Sequence, residues 1–131
     1  PASPLEQLES IADDDLDRVR DTQLDEWAPQ LDVFVDEVRD QDGVTYDNAK
    51  ILAKYEELAA EHDLLLVRTG DFPASFSIGG GWAPMVAMTF DSADDVLEWC
   101  EGEDVPADDC FAKRISESGE PPDNIKMRSP G

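Results

Sequence analysis

The N-terminal stretch carries apolar residues at helical spacing. They recur every three to four positions, at Leu5, Leu8, Ala12, Leu16 and Val19. Ser3 followed by Pro4 and by Glu6 is typical of a helix start, because serine caps free N–H groups and proline fits the first helical position. Three consecutive aspartates interrupt the pattern. The sequence therefore predicts one bent helix or two short helices over residues 4–26.

The period changes to two after this stretch. Pro29 is expected to end the helical pattern, and a strand-like alternation runs from Leu31 to Val35. Such alternation is typical of a half-buried strand, so the first strand is predicted here. Asp42-Gly43 predicts the turn that follows it.

The most regular apolar face lies in the next stretch. Its members fall at helical spacing and are Ile51, Leu52, Tyr55, Leu58, Ala59 and His62. Thr45 is predicted to cap this helix, with Asp47 in its first turn. The run from Leu64 to Thr69 is too short for a helix and is ended by Gly70, which predicts the second strand.

A long connection rich in Gly and Pro occupies residues 70–84. Met85 to Phe90 then predicts a third strand, and Pro84 is expected to precede its ladder because proline has no N–H to donate. Ser92, with an acidic residue three positions later, predicts a helix that ends near Gly102.

Cys110 to Ile115 predicts a fourth strand, and residues 117–131 are interpreted as a tail. The element order, one or two N-terminal helices and then β-α-β-β-α-β, is typical of an α+β domain with a four-stranded ferredoxin-like sheet. The chain, residues 1–131, is predicted to be one domain. It comprises a helical segment over 4–26, a sheet core over 27–116 and the tail.

The charge of the chain restricts its partners. Its 131 residues include 32 acidic and 10 basic side chains, for a formal net charge of −22. A field of that sign repels phosphate backbones and anionic headgroups, so we expect no nucleic-acid partner. The chain has no apolar run of about 18 residues, so no membrane insertion is expected. The spread of the acids favours solubility or salt adaptation as their reason, with attraction to a cationic partner or metal and mimicry of a polyanion as alternatives.

Cys100 and Cys110 are the two cysteines of the chain. Their separation lets a helix end turn back onto a strand, so a disulfide between them is geometrically plausible. A pair of free, buried thiols in a reducing cytosol is the alternative.

The chain shows no recognisable catalytic set, so neither catalytic residues nor a cofactor is predicted. His62 is the single histidine, and a structural role on its helix is favoured over catalysis. No pair of carboxylates is singled out by its neighbours, as a glycosidase would require. Asp40, Asp42 and Asp47 form only part of a calcium loop, and Gly79 to Gly81 lacks the residues that complete a phosphate loop. No metal site is predicted.

One surface is a candidate binding site. The connection before the third strand gathers aromatic rings beside short polar groups, which can stack on a sugar or receive a side chain of a protein partner. The predicted ligand-binding residues are Arg68, Asp71, Phe72, Ser75, Phe76 and Trp82. The alternative is that the rings cover the end of a small core.

Five short stretches resemble a domain of actinobacterial envelope proteins. They are Pro4-Leu-Glu-Gln-Leu8, Trp27-Ala-Pro-Gln-Leu31, Asp42-Gly-Val-Thr-Tyr-Asp47, Gly70-Asp-Phe72 and Asp109-Cys-Phe-Ala-Lys113. That domain occurs in secreted proteins and as the extracytoplasmic part of membrane-anchored Ser/Thr kinases. The element order also resembles the sporulation-related repeat (SPOR) fold, a ferredoxin-like module that binds peptidoglycan glycan strands. The chain departs from the family pattern at Phe72, where tryptophan is expected, and in its larger negative charge.

The resemblance implies an extracellular or cell-surface location and strengthens the expectation of a Cys100–Cys110 disulfide. It also implies a non-catalytic recognition or sensor domain of a cell-envelope protein, which binds a cell-wall glycan or a protein partner. The competing hypothesis is an acidic cytosolic interaction protein, such as an inhibitor, an immunity factor or a DNA mimic, that docks on a basic partner. An upstream signal or membrane helix in the full gene product would favour the first hypothesis.

Overall fold

Three α-helices and six strands form the part of the chain that the structure describes. The structure is a computed structural model, and it describes residues 2–35, 47–77, 79–103, 105 and 109–127. The helices are α1 (Pro4–Thr22), α2 (Asn48–Ala59) and α3 (Ala93–Gly102). The strands are β1 (Trp27–Gln30), β2 (Phe34–Val35), β3 (Leu64–Arg68), β4 (Gly81–Val86), β5 (Phe111–Arg114) and β6 (Ile125–Lys126). Short 3₁₀ turns lie at Thr69–Asp71 and Pro121–Asn124.

The six strands pair in one antiparallel sheet. β4 lies inside it, with β3 along one edge and with β2 and β1 in succession along the other. β1 also pairs with β5, which in turn pairs with β6. The predicted α+β class is confirmed, whereas the sheet has six strands and not four.

α1 begins as predicted. The hydroxyl of Ser3 accepts a hydrogen bond from the N–H of Glu6 at 3.2 Å, and the Glu6 carboxylate accepts one from the N–H of Ser3 at 3.3 Å. The helix is a single one and ends at Thr22, before the predicted boundary at residue 26. Leu8 and Val19 belong to different apolar clusters, so α1 contributes to the core on both faces of the sheet.

The first predicted strand is displaced. Regular pairing occurs in β1 and again in β2, while the chain between them leaves the ladder around Asp32, whose φ is +74°. Pro29 does not end a helix, because it lies inside β1 opposite Ala112 of β5. The alternation from Leu31 to Val35 therefore spans an interruption between two short strands.

The prediction for the third strand was wrong in its boundaries. β4 runs from Gly81 to Val86, with Pro84 in its interior, and the chain from Ala87 to Thr89 lies outside the regular sheet. The carbonyl of Pro84 accepts a hydrogen bond from the N–H of Leu31 at 2.9 Å. The ring nitrogen faces that same side of β4, where the chain between β1 and β2 has left the ladder. The strand interior accepts proline because no ladder bond requires its N–H.

The cap of α2 differs from the predicted one. The carboxylate of Asp47 accepts a hydrogen bond from the N–H of Lys50 at 2.8 Å, so Asp47 precedes the helix and is not in its first turn. Thr45 and the predicted Asp42-Gly43 turn lie outside the described residues. The buried members of the predicted apolar face are Ile51, Leu52 and Tyr55.

The C-terminal elements combine a confirmed prediction with a correction. Ser92 caps α3 as predicted, because its hydroxyl accepts a hydrogen bond from the N–H of Asp95 at 3.2 Å. The segment interpreted as a tail instead forms a 3₁₀ turn and then β6, in which Ile125 pairs with Lys113 of β5. The sheet therefore continues beyond its last predicted strand.

Apolar clusters lie on both faces of the sheet. One face packs against α2 and α3, and its cluster includes Ile51, Leu66, Trp82, Val86 and Val96. The other face is covered by the C-terminal half of α1 and by the connection after β3, and its cluster includes Val19, Val67, Phe72, Phe76 and Met85. Both faces are thus partly covered.

Candidate functional site

The predicted aromatic site is buried. Phe72 and Phe76 are 1% and 7% exposed, and both belong to the apolar cluster on the α1 side of the sheet. Trp82 is 6% exposed and belongs to the cluster on the opposite face. The three rings do not share one surface, and their burial favours the alternative in which they form core. Ligand binding by this set stays a prediction.

Arg68 and Asp71 lie together at the edge of the sheet. The Nε of Arg68 donates to the Asp71 carboxylate at 3.2 Å, and its Nη2 donates to Asp13 of α1. These carboxylates, chiefly Asp13, raise the pKa of Arg68. The guanidinium is therefore occupied by two partners that tie α1 to β3.

Ser75 is fully buried and joins the connection after β3 to the end of β5. Its hydroxyl donates to the carbonyl of Arg114 at 2.7 Å and accepts from the N–H of Ser116 at 2.8 Å. These bonds satisfy the backbone where β5 ends. The structure thus brings Phe72, Ser75 and Phe76 together on one face, while Arg68 and Trp82 are cross-strand neighbours.

Lys113 is a buried cation that sequence reasoning missed. It is 4% exposed, its Nζ donates to the carbonyl of Ser75 at 2.7 Å, and it lies 4.6 Å from the centre of the Phe76 ring. Burial lowers the pKa of Lys113 to about 8. The alternation of side chains along β5 could have indicated that Lys113 is buried. Lys113 points to the same face as Phe111, whereas Ala112 and Arg114 point to the other face.

A buried hydroxyl beside a lysine of lowered pKa is the chemistry of a Ser/Lys nucleophile. Here the lysine donates to the backbone carbonyl of Ser75, and the serine hydroxyl is already bonded on both sides to backbone groups. Both side chains are covered, so a substrate has no path to the hydroxyl in this conformation. This arrangement favours a structural role.

A polar pocket opens at the end of β5. It has a volume of about 550 Å³ and is lined by Asp25, Arg114, Ser116, Ser118, Gly119 and Asp123. Three of these residues come from the segment interpreted as a tail, and Asp25 comes from the turn after α1. Sequence reasoning missed the pocket, although Glu120-Pro-Pro-Asp123 carries a helix-start signal that would have removed the tail interpretation.

Arg114 is held at this pocket by neutral acceptors and by an aromatic ring. Its Nε donates to Asn124 Oδ1 at 2.8 Å, and its Nη2 donates to the carbonyl of Asp123 at 3.1 Å. Its guanidinium carbon lies 4.9 Å from the centre of the Trp27 ring. Within the described residues, no carboxylate lies at ion-pair distance from Arg114.

Asp25 is oriented by its own set of contacts. It has a φ of +62°, a region that aspartate enters more readily than most residues, and its N–H donates to the carbonyl of Ile115 at 2.6 Å. Its Oδ1 accepts from the hydroxyl of Ser116 at 2.8 Å, and that hydroxyl lies 3.3 Å from the hydroxyl of Ser118. The pocket therefore presents a fixed guanidinium and a fixed carboxylate that do not pair with each other.

Comparison with family models, curated proteins and solved structures found no match. The resemblance to actinobacterial envelope domains therefore stays a prediction from the short motifs.

The two cysteines are joined. Cys100 at the end of α3 and Cys110 before β5 form a disulfide, and both residues are fully buried. Since the chain has two cysteines, neither supplies a free thiol for nucleophilic catalysis. His62 is half-buried and meets the edge of the Trp99 ring, with 5.9 Å between the ring centres.

Metal ligation finds no support in the described part of the chain. No group of three or more His, Cys, Asp or Glu side chains there is arranged to hold an ion. Asp40 and Asp42, two members of the partial calcium loop, lie outside the described residues. The third, Asp47, uses its carboxylate as a helix cap.

Proposed function

We propose that this chain is a non-catalytic recognition or sensor domain of a bacterial cell-envelope protein, located outside the cytoplasm. The observation that carries the proposal is the disulfide between Cys100 and Cys110. Structural disulfides persist in oxidising compartments and are rare in the cytosol of mesophiles. The expected ligand is a cell-wall glycan or a protein partner.

The sheet supports the finer assignment of a ferredoxin-like domain. The longer strands stand in the order β3-β4-β1-β5, with α2 and α3 as the two connections, as expected for a β-α-β-β-α-β unit. In this proposal β2 continues the edge of β1, while α1 and β6 are additions. This likeness of strand order supports a SPOR-like recognition role.

The absence of a catalytic role is supported by how the reactive groups are used. The cysteines are in a disulfide, the Ser75 hydroxyl is bonded to backbone, and Lys113 is buried against Phe76. No helix in the described part of the chain is both long and apolar enough to cross a membrane. A charge of −22 disfavours polyanions as partners.

The acidic interaction protein is the second candidate, because α3 presents a strongly negative face. The exposed acids on and beside α3 are Asp91, Asp94, Asp95, Glu98, Glu101 and Glu103. α3 itself contains no basic residue, and within the part of the chain that the structure describes the ion pair that reaches it is Lys126 with Asp94. Such a face suits a basic partner, which it would attract at low ionic strength.

The compartment separates the two candidates. We would tag the full gene product in its native host, fractionate the cells, and label thiols with a maleimide reagent under denaturing conditions without reductant. The proposal expects the protein outside the cytoplasm with no labelled cysteine. Prior reduction is the control and should make both cysteines reactive.

A cytoplasmic protein with two labelled thiols would overturn the extracytoplasmic assignment and favour the acidic interaction protein. Ligand class is tested with the oxidised domain on purified peptidoglycan at low and high salt. Retention that survives high salt supports a glycan ligand, because an electrostatic association would be screened. Absence of retention points to the protein partner.

A further inference from the structure

The pocket at the end of β5 holds opposite charges that are kept apart. Arg114 is directed by Asn124, by the Asp123 carbonyl and by Trp27, whereas Asp25 is directed by Ser116. In a chain with 32 acids and 10 bases, a half-buried arginine that has no carboxylate of the described residues at ion-pair distance is unexpected. The remaining N–H groups of the guanidinium need acceptors.

The carboxylates of the pocket, in turn, have oxygen atoms that can accept further hydrogen bonds. Asp25 Oδ1 is bonded to Ser116, and Asp123 Oδ2 accepts from the N–H of Glu120 at 3.3 Å. Each of these carboxylates has a second oxygen with lone pairs for further donors. The exposed Ser118 also lines the pocket, and its hydroxyl lies 3.3 Å from that of Ser116.

We propose that this pocket binds a small zwitterion of the α-amino acid class. The ligand carboxylate would accept from Arg114, and its ammonium group would donate to Asp25 and Asp123. Charge-assisted hydrogen bonds of both kinds are stronger than neutral ones. The ligand would thereby bridge two groups that the protein holds out of contact, and its side chain would extend through the open side of the pocket toward solvent.

Other ligand classes fit less well. A simple anion meets the field of a chain with net charge −22 and two carboxylates in the same pocket. A simple cation leaves Arg114 without an acceptor and brings a like charge near it. A neutral polyol satisfies donors and acceptors but gains no ion pair. A zwitterion matches both signs without adding net charge.

This inference rests on the proposed recognition role of the domain and is independent of its compartment. Failure of the thiol and localisation experiment would remove the envelope assignment and leave the pocket untouched. Failure of the titration below would remove the zwitterion and leave recognition of a glycan or a protein partner untouched. The two failures are therefore distinguishable.

The test uses the oxidised 131-residue chain labelled with ¹⁵N. L-Alanine and L-glutamine are titrated while the backbone amides of Ser116, Ser118 and Gly119 are followed. N-acetyl-L-alanine lacks the ammonium group, L-alaninamide lacks the carboxylate, and methyl α-glucoside is a neutral polyol. We expect saturable shifts at these amides with a Kd on the order of 1 mM for at least one zwitterion, and at least about tenfold weaker binding of the three analogues.

Variants assign the charges. Asp25→Asn keeps the shape and the tolerance for positive φ, and Arg114→Gln removes the guanidinium. Each should weaken zwitterion binding by about tenfold or more. Arg18→Gln is the matched control, because Arg18 is exposed and pairs with Asp63 away from the pocket. Its binding should equal that of the parent.

Arg114→Gln also loses the contact between Arg114 and Trp27, which contributes to folding. Asp25→Asn and Ser118→Ala are therefore tested in parallel, so that the test does not depend on the folding of Arg114→Gln. Weaker zwitterion binding in the pocket variants, together with unchanged binding in Arg18→Gln, supports the proposal. It is overturned if no zwitterion shifts the pocket amides, if methyl α-glucoside binds as well as the zwitterions, or if Arg18→Gln weakens binding as much as Asp25→Asn.

Discussion

The carboxylate of Asp15 accepts a hydrogen bond of 2.9 Å from the backbone N–H of Leu66. Asp15 lies in α1 and Leu66 in the edge strand β3, on the side that does not pair with β4. An exposed strand edge invites pairing with another chain, and proteins cover such edges or charge them. α1 does both here, because it lies along β3 and places an acidic side chain on one of its free donors. Burial raises the pKa of Asp15.

Asp15→Ala should therefore lower the free energy of unfolding by about 1 to 2 kcal/mol, since a covered N–H loses its acceptor. Urea unfolding measures the change. Asp14→Ala is the matched control, because it removes the same charge from an exposed neighbour in the same helix. Asp15→Asn keeps an acceptor oxygen and should retain most of the stability. Equal destabilisation by the Asp14 and Asp15 alanine variants would contradict a specific role for the bond to Leu66.

Truncation of the aromatic residues tests whether they are core. Phe72→Ala, Phe76→Ala and Trp82→Ala should each cost about 3 to 5 kcal/mol, because all three rings are buried. Leu5→Ala, at a residue that is 41% exposed, should change stability by less than about 0.5 kcal/mol. Urea unfolding of the four variants decides the matter. A ring variant with parental stability that no longer binds a ligand of the parent would restore the sequence-based site.

Lys113 should make stability depend on pH. Its pKa in the folded state is about 8, against an ordinary value of 10.5, so between these values the unfolded chain binds more protons. Stability should therefore rise as pH increases through this range, by up to about 3 kcal/mol. Lys113→Met keeps the length of the side chain and should abolish the rise in urea unfolding measured between about pH 7 and pH 10. Lys126→Met, at an exposed position, should preserve it.

Tyr55 should make the stability of the domain fall at higher pH, in contrast to the rise expected from Lys113. Burial, together with Asp15 and Asp63, raises the pKa of Tyr55 to about 12 from an ordinary value of 10.0. The folded state keeps the phenol proton after the unfolded chain has lost it, so stability should fall as pH rises from 10 towards 12. Tyr55→Phe should flatten this fall while it leaves the Lys113 rise in place. A fall of equal size in Tyr55→Phe would show that another group is responsible.

Reduction of the disulfide should destabilise the domain by about 2 to 3 kcal/mol, because cleavage releases a short loop in the unfolded chain. The measurement is urea unfolding with and without a phosphine reductant. The double variant Cys100→Ser/Cys110→Ser is the control, and the reductant should leave its stability unchanged. If the parent is equally insensitive to the reductant, the Cys100–Cys110 bond contributes nothing to stability.

Local signals in the sequence predicted several elements correctly. Ser3 with Glu6 and Ser92 with Asp95 cap α1 and α3 through bonds across three residues, and the apolar run from Leu64 specifies β3. The spacing of Cys100 and Cys110 likewise allowed the disulfide to be anticipated. In each case the interacting groups are close in sequence, so residue type and spacing contain most of the information.

Contacts between distant segments decided the rest. Pro84 is tolerated inside β4 because the chain on that side has left the ladder and no partner there needs an N–H from it, and the supposed tail becomes β6 because β5 offers an edge. The pocket depends on Asp25 and Arg114, which meet only after the turn beyond α1 packs against the end of β5. The sequence by itself determined the starts of α1 and α3, one strand, the acidic character and the cysteine pair. Tertiary structure alone decided which aromatic rings are buried and which charges share a cavity, because burial and long-range pairing depend on what the rest of the chain places opposite each residue.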